Sequence, residues 1–169
     1  MKQKTITHRI NQVLALASLS SCKRRGVAAL AVTPDNITIS ESYNGWIRHS
    51  TNSTCGFNGE CSRDLLNIPS GVQNEIGCIH AEENLIINAA RTNNSLLNTI
   101  VFITTYPCLS CAKLLVQAGV SKIYTIENSY NNKDGLKFLK DMNIELIICK
   151  PPFNLIAGPD KPELKFYDN

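Results

Sequence analysis

Apolar residues recur on one helical face at Ile10, Val13, Leu14 and Ala17, which predicts a first helix over residues 5–20. Gly26 to Thr33 is a short apolar run with the character of a buried strand. Pro34-Asp35-Asn36 signals a turn, and Ile37 to Tyr43 alternates as a second strand, so the two form a hairpin. From 44 to 77 no period survives, and the stretch is rich in Asn, Ser, Gly and Cys. A loop of that length inside a compact domain is functional or is pinned by something. Helical spacing returns over Ile79 to Arg91. A strand follows at Ile100 to Thr105, then a helix from Cys108 to Ala118 with Gly119 as its stop. Lys122 to Ile126 reads as a strand, Asp134 to Met142 as a helix and Ile144 to Cys149 as a strand, while residues 150–169 carry four prolines and predict an irregular tail. Strands alternating with helices after the hairpin imply a sheet covered on both faces. The 169 residues suit one domain, 1–169, with a core of about 5–150 and a tail of about 151–169.

The N-terminus offers a second reading. A basic start, an apolar run from Val13 to Leu19 and then Leu19-Ser20-Ser21-Cys22 resemble a secretion signal ending in a lipid-accepting cysteine. The apolar run is short, and Thr5, Thr7, His8, Arg9, Asn11 and Gln12 crowd the region before it, so the helix is favoured. No stretch is long enough to span a bilayer. The expectation is a cytoplasmic protein with reduced thiols. The net charge of +3 fits a small anionic substrate and does not call for a nucleic-acid partner. The asparagine-rich composition hints at an AT-rich genome such as a phage's, which would place the chain in a host cytoplasm.

Seven cysteines are an odd number, which argues against a complete disulfide framework, and their clustering beside histidine argues for metal. His80-Ala81-Glu82 opens one predicted helix, and Pro107-Cys108-Leu109-Ser110-Cys111 opens another straight after a strand. Two thiolates three residues apart at a helix start can face one ion, and an imidazole from a neighbouring helix makes a third ligand. Three protein ligands leave the fourth tetrahedral position for water, the catalytic arrangement rather than the closed structural one. Helix N-termini favour thiolate over thiol. Glu82, two residues past His80, is free to move protons. His-x-Glu followed by Pro-Cys-x-x-Cys is the signature of zinc deaminases acting on nucleobases. The chemistry expected is attack of a zinc-activated water on C4 of a cytosine ring, with Glu82 protonating N3 and then the departing ammonia. The bland alternative is a structural Cys/His zinc site with Glu82 on the surface.

With these motifs in place, the sequence resembles the deoxycytidylate (dCMP) deaminase family. The resemblance runs from about Cys22 to Cys149. It also draws on Cys22 to Ala29, Tyr43-Asn44-Gly45, Ile68-Pro69-Ser70-Gly71, His80 to Asn84, Pro107 to Lys113 and Gln117 to Val120. It implies a three-layer α/β/α cytidine-deaminase-like fold around a five-stranded mixed sheet. It further implies conversion of dCMP to dUMP for thymidylate synthesis, and a homo-oligomer, often a hexamer, activated by dCTP with Mg2+ and inhibited by dTTP. Asn44, Ala81 and Tyr130 are the positions it would set against the nucleotide, although Asn44 also suits a plain turn before Gly45 and Tyr130 an ordinary loop. Two departures stand near the pocket or the regulatory region: Val27-Ala28-Ala29 where the family shows Val-Gly-Ala, and Ser42-Tyr43-Asn44-Gly45 where it shows Gly-Tyr-Asn-Gly. Lys23-Arg24-Arg25 is a run that can meet a phosphate or can be a solvated face.

Cys22, Cys55, Cys61 and Cys78 remain, with Cys149 on the last strand as a core residue. Several members of the resembled family carry a second, structural zinc with ligands at similar places. Four thiolates would close a tetrahedral site and pin the long loop. His49 is an alternative to Cys55, and free, partly buried cysteines are the alternative to the site. Rival functions are a tRNA adenosine deaminase, a deaminase of dCTP or a modified deoxycytidine nucleotide, and a zinc module without chemistry.

Overall fold

The computed structural model describes residues 1–51, 54–56, 59–69, 72, 76–126 and 133–149. The expected tail 151–169, Tyr130 and Ser70-Gly71 lie outside the described residues. Helix α1 (Gln3–Ala17) precedes a hairpin of β1 (Ala28–Val32) and β2 (Thr38–Tyr43). A short helix, α2 (Ser62–Leu65), interrupts the region read as loop. Helix α3 (Ala81–Arg91), strand β3 (Ile100–Ile103), helix α4 (Leu109–Gln117), strand β4 (Lys122–Ile126), helix α5 (Lys133–Asp141) and strand β5 (Glu145–Cys149) complete the order. The sheet runs β2-β1-β3-β4-β5. β1 is antiparallel to both β2 and β3, whereas β3, β4 and β5 are parallel. This is the expected five-stranded mixed sheet.

Alternate residues of each strand point to opposite faces, and both faces are covered. Ala28, Leu30, Val32, Phe102 and Tyr124 pack against Ile6, Ile10 and Val13 of α1. Ala29, Ala31, Val101, Ile103 and Ile123 pack against Leu85 of α3, Leu115 of α4 and Leu139 of α5. The unbroken burial of β1 and β3 explains why both read as continuous apolar runs rather than as alternating ones. Cys149 is buried within the α1-side cluster, as expected of a core residue.

The first helix is held by more than its apolar stripe. Arg9 is buried, and its guanidinium donates to Asn36 Oδ1 at 2.8 Å, to the Asn36 carbonyl at 2.6 Å and to Thr38 Oγ1 at 3.0 Å. It ties α1 to the turn of the hairpin. Gly119 ends α4 as expected: it takes φ of +84°, and Val120 N–H reaches back to the Leu115 carbonyl in a Schellman closure. Among the described residues, no helix is long and apolar enough to cross a membrane.

Candidate active site

The two helices that the sequence marks for chemistry begin beside each other. His80 is the N-cap of α3 and Cys108 the N-cap of α4, with Cys111 in the first turn of α4. Cys108 follows the carboxyl end of β3, the end of a parallel sheet at which crevices form. His80 Nδ1 lies 3.6 Å from Cys108 Sγ and 3.4 Å from Cys111 Sγ, and all three ligand atoms lie within 4.8 Å of one another. A tetrahedral zinc with ordinary Zn–N and Zn–S bonds has N···S edges of about 3.6 Å. The three side chains are therefore already spaced for zinc, and among the described residues no other group of three His, Cys, Asp or Glu is as close.

The ligand groups are coupled electrostatically. Hydrogen bonding to Cys108 pushes the His80 imidazole up to about 9. The Cys111 thiol, and after it His80, hold Cys108 down to about 4, and the same contact with Cys108 pushes Cys111 up. Glu82 is 3% exposed, and burial pushes its carboxyl up to about 7. Its position in the first turn of α3 brings it to the same cleft of about 100 Å³ that His80 and Cys108 line.

Several contacts fix these side chains. The Glu83 carboxylate accepts the His80 backbone N–H at 2.8 Å. Ile79 and Gly45 exchange backbone hydrogen bonds, which joins the start of α3 to the end of β2. A ladder continues that junction. Ser42 Oγ donates to the Ala81 carbonyl at 2.7 Å and Ser40 Oγ to the Leu85 carbonyl at 2.9 Å. In the other direction Asn84 Nδ2 donates to the Tyr43 carbonyl and Asn88 Nδ2 to the Glu41 carbonyl. Ser42, a departure from the family pattern, thus gives a hydrogen bond to the residue between His80 and Glu82. From the other side, Gly135 of α5 lies so close to the backbone of Pro107 and Cys108 that a Cβ there would collide with the Pro107 carbonyl oxygen.

The cleft also takes in Asn44 and Ala81. Asn44 is buried, and most of its hydrogen-bonding capacity is used within the protein: Oδ1 accepts from Ser20 Oγ at 2.6 Å and Val27 N–H at 2.8 Å, and Nδ2 donates to the Arg25 carbonyl at 2.9 Å. An amide has two donors and one carbonyl acceptor, so one Nδ2 hydrogen has no partner among the described residues. Tyr130 lies outside the described residues. Thr105, Tyr106, Arg24, Arg25 and Arg63 line the cleft as well. Arg24 and Arg25 were visible as a basic run; Arg63 sits in the aperiodic loop, where no pattern marks it. Gly135 could have been flagged as a glycine inside a helix.

The other cysteines form a looser group. Cys55 and Cys61 sulfurs are 3.8 Å apart, Cys22 hydrogen-bonds Cys78, and Cys78 also contacts Cys55. No three of these thiols reach the spacing of the first cluster. The Cys78 contact holds Cys22 down to about 5, and the same contact pushes Cys78 up. Cys55, rather than the exposed His49, stands beside Cys61.

Comparison with known proteins agrees with this geometry. The profile of the cytidine and deoxycytidylate deaminase zinc-binding region matches residues 2–127. The deoxycytidylate deaminase of Saccharomyces cerevisiae is 33% identical over 132 residues, 76% of this chain and 39% of the relative. That of Schizosaccharomyces pombe is 31% identical over 144 residues, 83% of this chain and 42% of the relative. The chain thus spans about two fifths of the length of these two relatives. The crystal structure of the dCMP deaminase from cyanophage S-TIM5, in complex with dCMP and dUMP, superposes with a TM-score of 0.72 at 26% identity, covering 88% of this chain and 98% of that one. With the family profile matching most of its length and the His-Cys-Cys cluster spaced for the metal, the chain belongs to the cytidine and deoxycytidylate deaminase zinc-binding family.

Proposed function

We propose that the chain hydrolyses dCMP to dUMP and ammonia, supplying dUMP for thymidylate synthesis. The observation that carries the reading is a buried carboxyl, Glu82, in the cleft lined by His80 and Cys108, two of three zinc-spaced residues completed by the buried Cys111; three protein ligands leave a fourth tetrahedral position for water. Zinc held by His80, Cys108 and Cys111 would supply acidification of a water molecule, to a pKa of about 7. Glu82 takes the proton that this water gives up and delivers it to N3 of the ring as the C4–O bond forms. It then takes the second proton from the hydroxyl now on C4 and passes it to the amino nitrogen, so that the C4 carbonyl forms as the C4–N bond breaks and ammonia leaves. Burial suits Glu82 to both halves of this exchange, because a carboxyl raised toward neutrality both accepts and donates readily. The remaining hydrogen of Asn44 Nδ2 and the wall at Ala81 orient the nucleotide. The cyanophage relative, solved with dCMP and dUMP, supports this choice of substrate.

The same reading gives Cys22, Cys55, Cys61 and Cys78 a structural zinc. The 3.8 Å between Cys55 and Cys61 equals the edge of a tetrahedral zinc–thiolate site, about 3.8 Å. The Ser62 hydroxyl, buried without an oxygen or nitrogen partner, faces the Cys55 sulfur, which suits a thiolate there. A homo-oligomer and control by dCTP with Mg2+ or by dTTP rest on the family resemblance alone, and sedimentation velocity with and without dCTP tests both.

The deciding experiment incubates the zinc-loaded protein separately with dCMP, CMP, dCTP and deoxycytidine and follows uracil product and ammonia. Turnover of dCMP in preference to the others is expected. Preference for dCTP would move the assignment to the triphosphate. Inactivity on all four would overturn it and point to a polynucleotide or modified base.

A further inference from the structure

Strand β3 ends at Ile103, and residues 104–107 carry the chain from the sheet to Cys108, the N-cap of α4. Thr105 and Tyr106 of this loop line the cleft that Glu82 shares. A chain that leaves a sheet loses its ladder partners, and each backbone group it buries needs another. Thr104 finds them on β1. Its N–H donates to the Ala28 carbonyl at 3.1 Å, and its Oγ1 accepts the Ala28 N–H at 3.0 Å. Thr105 is buried, and its carbonyl accepts from Thr125 Oγ1 of β4 at 2.9 Å. From a third side, α5 closes on Pro107 through Gly135.

Thr125 is a polar residue in an apolar setting. It is fully buried, and alternation along β4 puts it on the same face as Ile123, against α3, α4 and α5. Ile103, its register partner on β3, and Ile123 are both apolar members of that core. A hydroxyl there costs stability unless it is bonded, so what the threonine supplies is its bond to Thr105. That bond lies at the carboxyl end of the parallel strands, where the cleft opens. Thr99 gives the contrast. It is 2% exposed just before the start of β3, and its Oγ1 donates to the Leu96 carbonyl at 2.7 Å. The two bonds are of one kind, hydroxyl to carbonyl in buried surroundings, at opposite ends of the sheet. Thr125 reaches a residue that lines the cleft, and Thr99 does not.

We infer that Thr125 is a positioning residue of the proposed reaction: through the Thr105 carbonyl it sets the loop that forms one wall of the cleft and leads into Cys108. The inference rests on the deaminase reading of that cleft. Its test compares wild type, Thr125→Val, Thr125→Ser and Thr99→Val in thermal midpoint, zinc content and steady-state kinetics on dCMP. Thr125→Val and Thr99→Val each lose one buried hydroxyl-to-carbonyl bond, so both should lower the midpoint by a similar amount. Zinc content should match wild type in both. Thr125→Val should also cut kcat/KM for dCMP about 10- to 100-fold, because the wall no longer holds the ring in line with Glu82. Thr125→Ser keeps the hydroxyl and should stay within about threefold of wild type, and Thr99→Val within about twofold. A structural role alone would move the midpoint and leave the kinetics as they are. Thr125→Val as active as wild type, Thr99→Val with an equal loss, or Thr125→Ser as impaired as Thr125→Val would overturn the inference. Should Thr125→Val not fold, Thr125→Ala removes the hydroxyl without setting a second methyl against the carbonyl, and the same comparison decides. If wild type turned over no nucleotide, the deaminase reading would fall, and cobalt would decide instead. Co2+ in place of zinc absorbs visible light in bands set by ligand geometry. Bands shifted by Thr125→Val and not by Thr99→Val sustain the positioning role; bands moved by neither, or by both alike, end it.

Discussion

The molecule carries two cysteine-rich clusters within reach of one cleft, and they are built differently. His80, Cys108 and Cys111 stand on the first turns of two helices that pack against one sheet, with their ligand atoms at zinc spacing. Cys22, Cys55, Cys61 and Cys78 come from irregular chain and the short α2; one pair matches a tetrahedral edge, yet no three close up. The first set is positioned by elements that fold for their own reasons: β3 and the α3–α4 contact would bring the ligands together without metal. The second has only the loop to position it. Ligand sets on rigid elements are pre-organised, and those on loops depend on the ion to order them.

Substitutions can break that contrast in order of severity. Cys108→Ser should remove the zinc of the first cluster and reduce dCMP turnover to background while leaving the circular dichroism of the helices intact, because the pre-organised site does not hold the core together. Gly135→Ala strikes the same cluster from behind. A methyl group against the Pro107 carbonyl must push α5 or the Cys108 backbone away, at about 1–3 kcal/mol of stability. Displacing the ligand should cost about 100-fold in kcat; thermal unfolding and steady-state kinetics read the two effects. Cys61→Ser should lower the zinc content by one atom per chain and the thermal midpoint, with the first cluster still loaded. In wild type, graded chelator should strip the loop zinc before the other. Simultaneous loss of both metals would erase the distinction. Smallest is Ser42→Ala. The Ala81 carbonyl keeps its bond within the helix, so about 1 kcal/mol of stability is at stake, with kcat reduced less than about tenfold. Ser40→Ala removes the matching bond to Leu85 farther along α3 and should cost similar stability with kcat unchanged.

The same division decides what could be read in advance. Every sheet strand and all four of the longer helices were legible from their apolar residues, as a period in the element or, for β1 and β3, as a short unbroken run, and the His-x-Glu and Pro-Cys-x-x-Cys motifs announce a metal through residue type and spacing. The helix starts were expected a residue or two early at Ile79 and Cys108, because the ligands themselves serve as N-caps and so lie just outside the helices. What escaped was set by tertiary approach. Helix α2 is four residues long, too short for any period. Gly135 matters through the distance between α5 and Pro107, Ser42 through a hairpin edge meeting a helix, and Arg63 through the folding of the aperiodic loop. None of these contacts has a local signature, although a glycine inside a helix does mark Gly135.

The central claim is that Glu82 moves the protons while His80, Cys108 and Cys111 hold the metal. The most direct test measures zinc content and dUMP formation from dCMP on one preparation of Glu82→Gln. The account predicts wild-type zinc and a rate lower by about 10²- to 10⁴-fold, the usual contribution of a positioned acid–base group. Wild-type zinc with wild-type turnover would contradict it.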